Sequence, residues 1–199
     1  MSKYFIIFVF AMVTFQFTKS QSNDTSKVKW YSMTELTELQ KREPRKIMID
    51  MYTDWCGWCK KMDQETFSHP VIVAYLNNNY YPVKFNAESS DSIIFQGHTF
   101  FNERKGPRST HQLALAFFQS TKQQVAYPTT FYLDEKLNLI TPYPGYIDAA
   151  QLEVLLHYIF EEKYKPITLE QYQKTFISNI IAGKSTNNVS YGNVNKSTK

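Results

Sequence analysis

The stretch Ile47-Met48-Ile49-Asp50-Met51-Tyr52-Thr53-Asp54-Trp55-Cys56-Gly57-Trp58-Cys59-Lys60 decides the fold. Its first half, Ile47 to Tyr52, is a short apolar run with one acid inside it, bounded by Pro44 upstream and by the cysteines downstream. An apolar run of that length without alternation reads as a strand buried on both faces. Its second half reads as the opening of a helix that runs from the cysteines towards Phe67. Cys56 and Cys59 therefore stand where a central strand ends and a helix begins.

That placement has chemical consequences. The first turn of a helix carries unpaired N–H groups and partial positive charge, which favour a thiolate over a thiol. The thiolate is the species that attacks a disulfide, so this position raises the reactive fraction. Cys56 is expected at the exposed helix edge as the attacking sulfur. Cys59, nearly one turn later, is expected to be shielded and placed to resolve a mixed disulfide. Two other uses of the pair fit less well. A disulfide kept for stability works best across a long loop, because a very short one constrains the unfolded chain least. A structural zinc site needs about four protein ligands. This chain has two cysteines, and His69, His98, His111 and His157 are scattered without ligand spacing. The histidines read as surface or boundary residues, and no metal is expected.

Outward from the cysteines, periodicity supplies the remaining elements. Ser32-Met33-Thr34-Glu35 is a capping box that opens a short helix ending before Pro44. His69-Pro70 interrupts the helix after Phe67, a second helical stretch spans Val71 to Leu76, and Tyr80 to Phe85 is the next strand. Asp91 to Asn102 has apolar runs on both sides of Gln96-Gly97 and reads as a β-hairpin. Ser109, with Gln112 three residues on, opens a helix whose apolar stripe is Leu113, Ala116 and Phe117. Thr129 to Leu133 and Leu137 to Thr141 form two strands around Asp134-Glu135-Lys136. Asp148 and Gln151 cap a helix in which Leu152, Leu155, Leu156, Ile159 and Phe160 share one face. Thr168 to Ile181 reads as one further helix. Strands alternating with helices in this order predict an α/β domain, a central mixed β-sheet flanked by helices.

The whole chain sets limits on function. Its 199 residues suit one domain, and 43% hydrophobic with 16% aromatic content predicts a packed core rather than disorder. The first twenty residues carry Lys3, an apolar run from Tyr4 to Val13, and small residues around Thr18-Lys19-Ser20, which together read as an export signal. Residues 21–29 form a flexible lead-in. Thr14, Gln16 and Lys19 interrupt the apolar run before it reaches spanning length. Membrane attachment would therefore arise only if the segment stayed on as an uncleaved anchor. Cleavage removes two lysines, Lys3 and Lys19, and takes the formal charge from +4 to +2. A nearly neutral chain without a basic stripe is not expected to bind nucleic acid.

The motif and its surroundings resemble the thioredoxin superfamily, in particular its exported bacterial branch with Trp-Cys-Gly-Trp-Cys-Lys sites. The resemblance runs from about Trp30 to Lys163 and rests on four features beyond the cysteines. Asp50 lies six positions before Cys56, where thioredoxins carry a buried acid. Lys84 in Val83-Lys84-Phe85-Asn86 matches the lysine that pairs with it. Tyr127-Pro128-Thr129 matches the loop whose cis-proline faces the cysteines, and Gly145 matches the glycine after the last hairpin. The resemblance implies a thioredoxin fold over 30–165; beyond it the residue pattern reads as a C-terminal helical extension over 166–182, and the Asn, Ser, Thr and Lys content from Gly183 onward reads as a disordered tail over 183–199. The resemblance also implies an insertion, about 89–108, between the strand ending near Asn86 and the cis-Pro128 strand. Because that insertion must leave and return near Cys56, its hairpin, with Phe100 and Phe101, is expected either to wall the substrate groove or to bury its aromatics beneath itself.

The same resemblance implies roles. Cys56 and Cys59 exchange disulfides. Asp50, its proton affinity raised by burial, takes the proton from Cys59, and Lys84 tempers its charge. Trp55, Gly57, Trp58, Tyr127 and Pro128 receive the substrate, although either tryptophan could instead be core, Trp55 more readily than Trp58. No cofactor is implied beyond the redox-active Cys56–Cys59 disulfide. The implied partners are protein thiols and disulfides, with an upstream electron donor such as a membrane thiol-disulfide protein. The implied location is the periplasm or cell envelope, with secretion as the other exported destination. Position 58 is Trp rather than the Pro, His or Ala of better-known sites. This dipeptide tunes potential over roughly −270 to −120 mV, and the lack of a histidine favours a protein-disulfide reductase or isomerase over a disulfide-donating oxidase. A partner-binding module on the same scaffold is the rival from another class.

Overall fold

The computed structural model describes residues 26–182 apart from 105 and 107, so the expected export signal at 1–20 and tail at 183–199 lie outside the described residues. In chain order the elements are α1 (Met33–Arg42), β1 (Lys46–Tyr52), α2 (Gly57–Glu65), α3 (Pro70–Asn79), β2 (Tyr80–Asn86), β3 (Ile93–Phe95), β4 (His98–Phe100), α4 (Gln112–Ser120), β5 (Thr129–Leu133), β6 (Leu139–Pro144), α5 (Ala149–Phe160) and α6 (Leu169–Gln173). The main sheet has the order β2-β1-β5-β6, with β1 parallel to β2 and antiparallel to β5, and β5 antiparallel to β6. The fold is α/β with a mixed central sheet flanked by helices.

Alternation along β1 divides the core in two. Ile47, Ile49 and Met51 pack with Met33 and Leu36 of α1, Leu113 and Phe117 of α4, and Phe95 of the hairpin. Met48 points the other way, towards Met62 of α2, Ile72 and Leu76 of α3, and Leu152, Leu155, Leu156 and Ile159 of α5. Asp50, two residues on from Met48, shares that second face. A central strand covered on both sides accounts for the unbroken apolar run in the sequence. The four α5 side chains are essentially buried, and each is worth about 1.5–3 kcal/mol in apolar transfer.

The expected cap of α1 is present: the Ser32 hydroxyl accepts from the Glu35 N–H, and the Glu35 carboxylate accepts from the Ser32 N–H. Elsewhere local chemistry moves several boundaries. Helix α4 is capped by His111, whose Nδ1 accepts from the Leu113 N–H at 3.1 Å, and not by Ser109, whose hydroxyl is spent on Asn102. His111 is 0% exposed, so it is a core residue rather than a surface or boundary one. Strand β6 starts at Leu139 instead of Leu137, because an Asp134 carboxylate oxygen accepts from the N–H groups of Lys136 and Asn138 and folds the intervening residues into a turn. The stretch Thr168–Ile181 is not one helix: α6 ends at Gln173, and a separate helical turn spans 179–182. Part of the lead-in expected to be flexible is docked, since Val28 is buried and Asn77 bonds the backbone on either side of it at Lys27 and Lys29.

Candidate active site

The end of β1 and the start of α2 bring the two cysteines together as a disulfide. Cys56 is the N-cap of α2, with its N–H bonded to the Thr53 carbonyl at 3.1 Å. Its sulfur accepts from the Cys59 backbone N–H at 3.1 Å. Any negative charge on the Cys56 sulfur is therefore met by a directed N–H and by the positive end of the helix. The exposure expected of Cys56 is absent from this oxidised form: Cys56 is 4% exposed and Cys59 3%. Trp55 and Trp58, at 53% and 58% exposed, rise on either side instead. Trp55 is thus a surface residue and not core.

Beneath α2 lies an incompletely balanced ionic cluster. Asp50 is 1% exposed, and one carboxylate oxygen, Oδ2, is 3.0 Å from Lys84 Nζ. Among the described residues Oδ1 has no hydrogen-bond partner. Burial pushes the Asp50 pKa up to about 6; Lys84 opposes that rise and the nearby Asp63 adds to it. Lys84 is also bonded to Asp63. Its ammonium lies 4.9 Å from the ring centre of Trp30, 5.1 Å from Tyr52 and 5.6 Å from Phe67. Burial works to lower the Lys84 pKa, but its two carboxylates outweigh that and leave it raised. The lysine stays charged and is shared between a buried acid and a half-exposed one. Sequence reading omits Asp63. Its signal is there in the spacing, four residues after Cys59 and so on the same face of α2.

The loop that closes the site contains a cis Tyr127–Pro128 bond. The Pro128 carbonyl accepts from the Gly145 N–H at 2.8 Å, which ties this loop to the end of β6. Gly145 has φ +88°, a left-handed conformation that favours glycine. Trp58, Tyr127, Pro128, Gly145 and Tyr146 line a hollow of about 280 Å³ beside the disulfide. The Trp58 and Tyr146 rings lie 5.5 Å apart, and Lys61 caps both. Gly57, between the cysteines, has open space where a Cβ would be. The result is a shallow apolar groove that suits an extended chain or exposed loop better than an enclosed small molecule.

The insertion reaches the site only with its two ends. Glu88 Oε1 accepts from the Trp55 indole N–H at 2.9 Å, and Arg108 lies 5.3 Å from the same ring centre. The hairpin β3–β4 runs elsewhere and does not wall the groove. Gln96 Nε2 donates to the Leu137 carbonyl at 3.0 Å, and Phe95 and Phe100 line a separate hollow of about 340 Å³ with Leu133 and Leu139, at the opposite end of β5 from Pro128. The simpler expectation, that Phe100 and Phe101 bury themselves beneath the hairpin, is not met either: Phe100 is only partly buried and Phe101 is 47% exposed, and the residues the hairpin buries are Ile93 and Phe95. The hairpin goes there because its buried side chains complete the core on the α1–α4 side. Among the described residues no group of three or more His, Cys, Asp or Glu side chains converges, and no helix is long and apolar enough to cross a membrane.

Comparison with known proteins agrees with this geometry. A family model described as "Thioredoxin-like domain" matches residues 33–160. A thiol:disulfide interchange protein DsbD of Vibrio vulnificus is 35% identical over 63 residues, covering 29% of this chain and 11% of the relative. The DsbD of Yersinia pestis is 25% identical over 138 residues, covering 66% of this chain and 20% of its own. The chain thus spans about a tenth to a fifth of the length of these curated relatives. Among solved structures, a thioredoxin-fold protein from Helicobacter pylori matches with a TM-score of 0.51 at 16% identity, over 66% of this chain and 83% of that one.

Proposed function

The chain belongs to the thioredoxin-like domain family, and from that premise we propose that it reduces or isomerises protein disulfides outside the cytoplasm by exchange at Cys56 and Cys59. The Cys56 thiolate attacks a client disulfide, forms a mixed disulfide and expels one client thiolate. Cys59 then gives its proton to Asp50 and attacks the Cys56 sulfur. That step releases the second client thiolate and closes the Cys56–Cys59 bond, so the protein loses two electrons and the client gains them. In isomerisation the client thiolate returns to the mixed disulfide and no net electrons pass. Sustained reduction needs a dithiol donor, for which a membrane thiol-disulfide protein is the proposed class.

The observation that carries this reading is the Cys56 sulfur at the start of α2, bonded by the Cys59 N–H, on the side of the sheet where Asp50 is buried with an elevated pKa. A thiolate is stabilised at one cysteine, and a base is held near neutrality on the side from which the other must be activated. Trp58 in place of a histidine supports the reducing direction, and the Lys3-to-Ser20 segment supports export. Two measurements test the proposal. Cys59→Ser expressed in cells should trap client proteins as mixed disulfides on Cys56, and recovery of none would count against it. A redox potential of the Cys56–Cys59 pair near about −120 mV, the oxidising end of the superfamily, would make the protein a disulfide donor instead.

A further inference from the structure

The insertion has one unusual residue at the rim of the site. Arg108 adopts φ 65°, a left-handed conformation that costs a non-glycine residue energy and persists only where its surroundings enforce it. Here they do. The Asn102 side chain is buried and donates to the carbonyls of Ser89 at 3.2 Å and Ser109 at 2.7 Å, while the Ser109 hydroxyl bonds back to Asn102. This clamp ties both ends of the insertion together and fixes the residue before Ser109. The consequence is that the exposed Arg108 guanidinium covers the face of Trp55, the residue next to Cys56. Glu88 holds the indole from its N–H edge at 2.9 Å.

The two tryptophans flanking the cysteines are thus each capped by a cation, but on different terms. Lys61, over Trp58, has Glu65 at 3.8 Å. Arg108, over Trp55, has no carboxylate within ion-pair distance among the described residues. It also borders a hollow of about 580 Å³ lined further by Arg104, Ser109 and Thr110, in which Glu103 is taken up by a bond from Gln112. A planar, always-charged donor fork held over the ring of the residue next to Cys56 is suited to a carboxylate.

We propose that Arg108 is a specificity-determining residue that selects client disulfides flanked by acidic residues. The inference rests on the exchange reaction proposed above and names its substrate class. The carboxylate of a client residue next to the attacked disulfide pairs with Arg108, while the sulfur it accompanies is presented to Cys56.

The test uses the reduced protein and three synthetic peptides, each holding one intramolecular disulfide and differing only in two residues beside it: Asp, Ser or Lys. Second-order rates are each divided by the rate of the small reductant dithiothreitol, itself attacking as a thiolate, with the same peptide, which removes differences in intrinsic disulfide reactivity. The Asp peptide should react about fivefold faster than the Lys peptide at low ionic strength, the size expected of one exposed ion pair, and the preference should collapse in about 0.5 M salt. Arg108→Gln should bring the ratio close to one, Arg108→Glu should invert it, and Arg108→Lys should keep most of it. Glu88→Gln, which can still accept from the indole, should widen it by removing an opposing charge. A wild-type ratio of one, or an Arg108→Gln protein that keeps the wild-type preference, overturns the proposal. Failure to reduce even the Ser peptide would instead overturn the exchange reading itself.

Discussion

Asp50 in β1 and Glu153 in α5 are each 1% exposed, yet the fold treats these two carboxylates in opposite ways. Glu153 receives three hydrogen bonds, from the Ser178 hydroxyl at 2.5 Å and the N–H groups of Asn179 at 3.0 Å and Ile180 at 3.3 Å. It staples the C-terminal extension to α5. Asp50 receives one partner, Lys84, which it shares with Asp63, and one of its oxygens is left bare. A buried acid with its donors supplied holds structure together. A buried acid left short of donors binds a proton readily, and stability is sacrificed for that capacity. Burial alone distinguishes nothing; the donor count separates the staple from the site.

The sharpest way to break this contrast is kinetic. Asp50→Asn should slow the closing attack by Cys59 about 10²–10⁴-fold, the range for a positioned general base, while Glu153→Gln leaves the same step within about twofold. Stopped-flow measurement of mixed-disulfide resolution at neutral pH reads both, and a loss under tenfold for Asp50→Asn would remove Asp50 from the proton path. Next in size is the dependence of stability on pH. The folded pKa of Asp50, about 6, is above its ordinary 3.8, so the folded protein holds the extra proton. The stability that proton brings is whole below about pH 4 and is lost as pH rises through about 6. The loss amounts to about 3 kcal/mol for a shift of roughly two units. Urea unfolding from pH 4 to 7 should show that decline in the wild type and not in Asp50→Asn. Third, Glu153→Ala should cost about 2 kcal/mol at pH 7, from the donors left without an acceptor, with early loss of hydrogen-exchange protection over 176–182. A cost near zero would make the extension an appendage rather than part of the domain.

How much of this is legible in sequence depends on the range over which each residue is determined. The central strand, the α1 capping box and the α5 stripe are local patterns, and the structure reproduces them except at Phe160, which ends the stripe 39% exposed. Asp50 and Lys84 are named through resemblance, and their Cα register across β1 and β2 is a direct pair. Ser109 was a plausible cap by residue type, and only the distant Asn102 explains why it caps nothing. The hairpin was legible as a hairpin, with Gln96 and Gly97 both left-handed as a tight turn requires. Its direction was not, because that depends on which core face lacks aromatic volume. The Arg108–Trp55–Glu88 rim joins residues far apart in the chain, and no spacing rule announces it. Glu153 carries no local signal either, since its donors come from a segment that sequence periodicity wrongly joins into one helix.

The smallest expected effect tests the subtlest part of the contrast, the sharing of Lys84. Asp63 raises the proton affinity of Asp50 through its charge, and its bond draws on the ammonium that would otherwise serve Asp50 alone. Asp63→Asn removes the charge and weakens the bond. Lys84 is caged by Trp30, Tyr52 and Phe67 and should remain in place, turning more fully to Asp50. The Asp50 pKa then falls by less than about one unit, as expected for a half-exposed neighbour. In a rate–pH profile of Cys59 attack the acid limb should move to lower pH, with the plateau reduced only slightly. No movement would mean that Asp63 is a bystander. Movement to higher pH would mean that the aromatic cage cannot hold Lys84 by itself, and that Asp63 serves by keeping the cation within reach of Asp50.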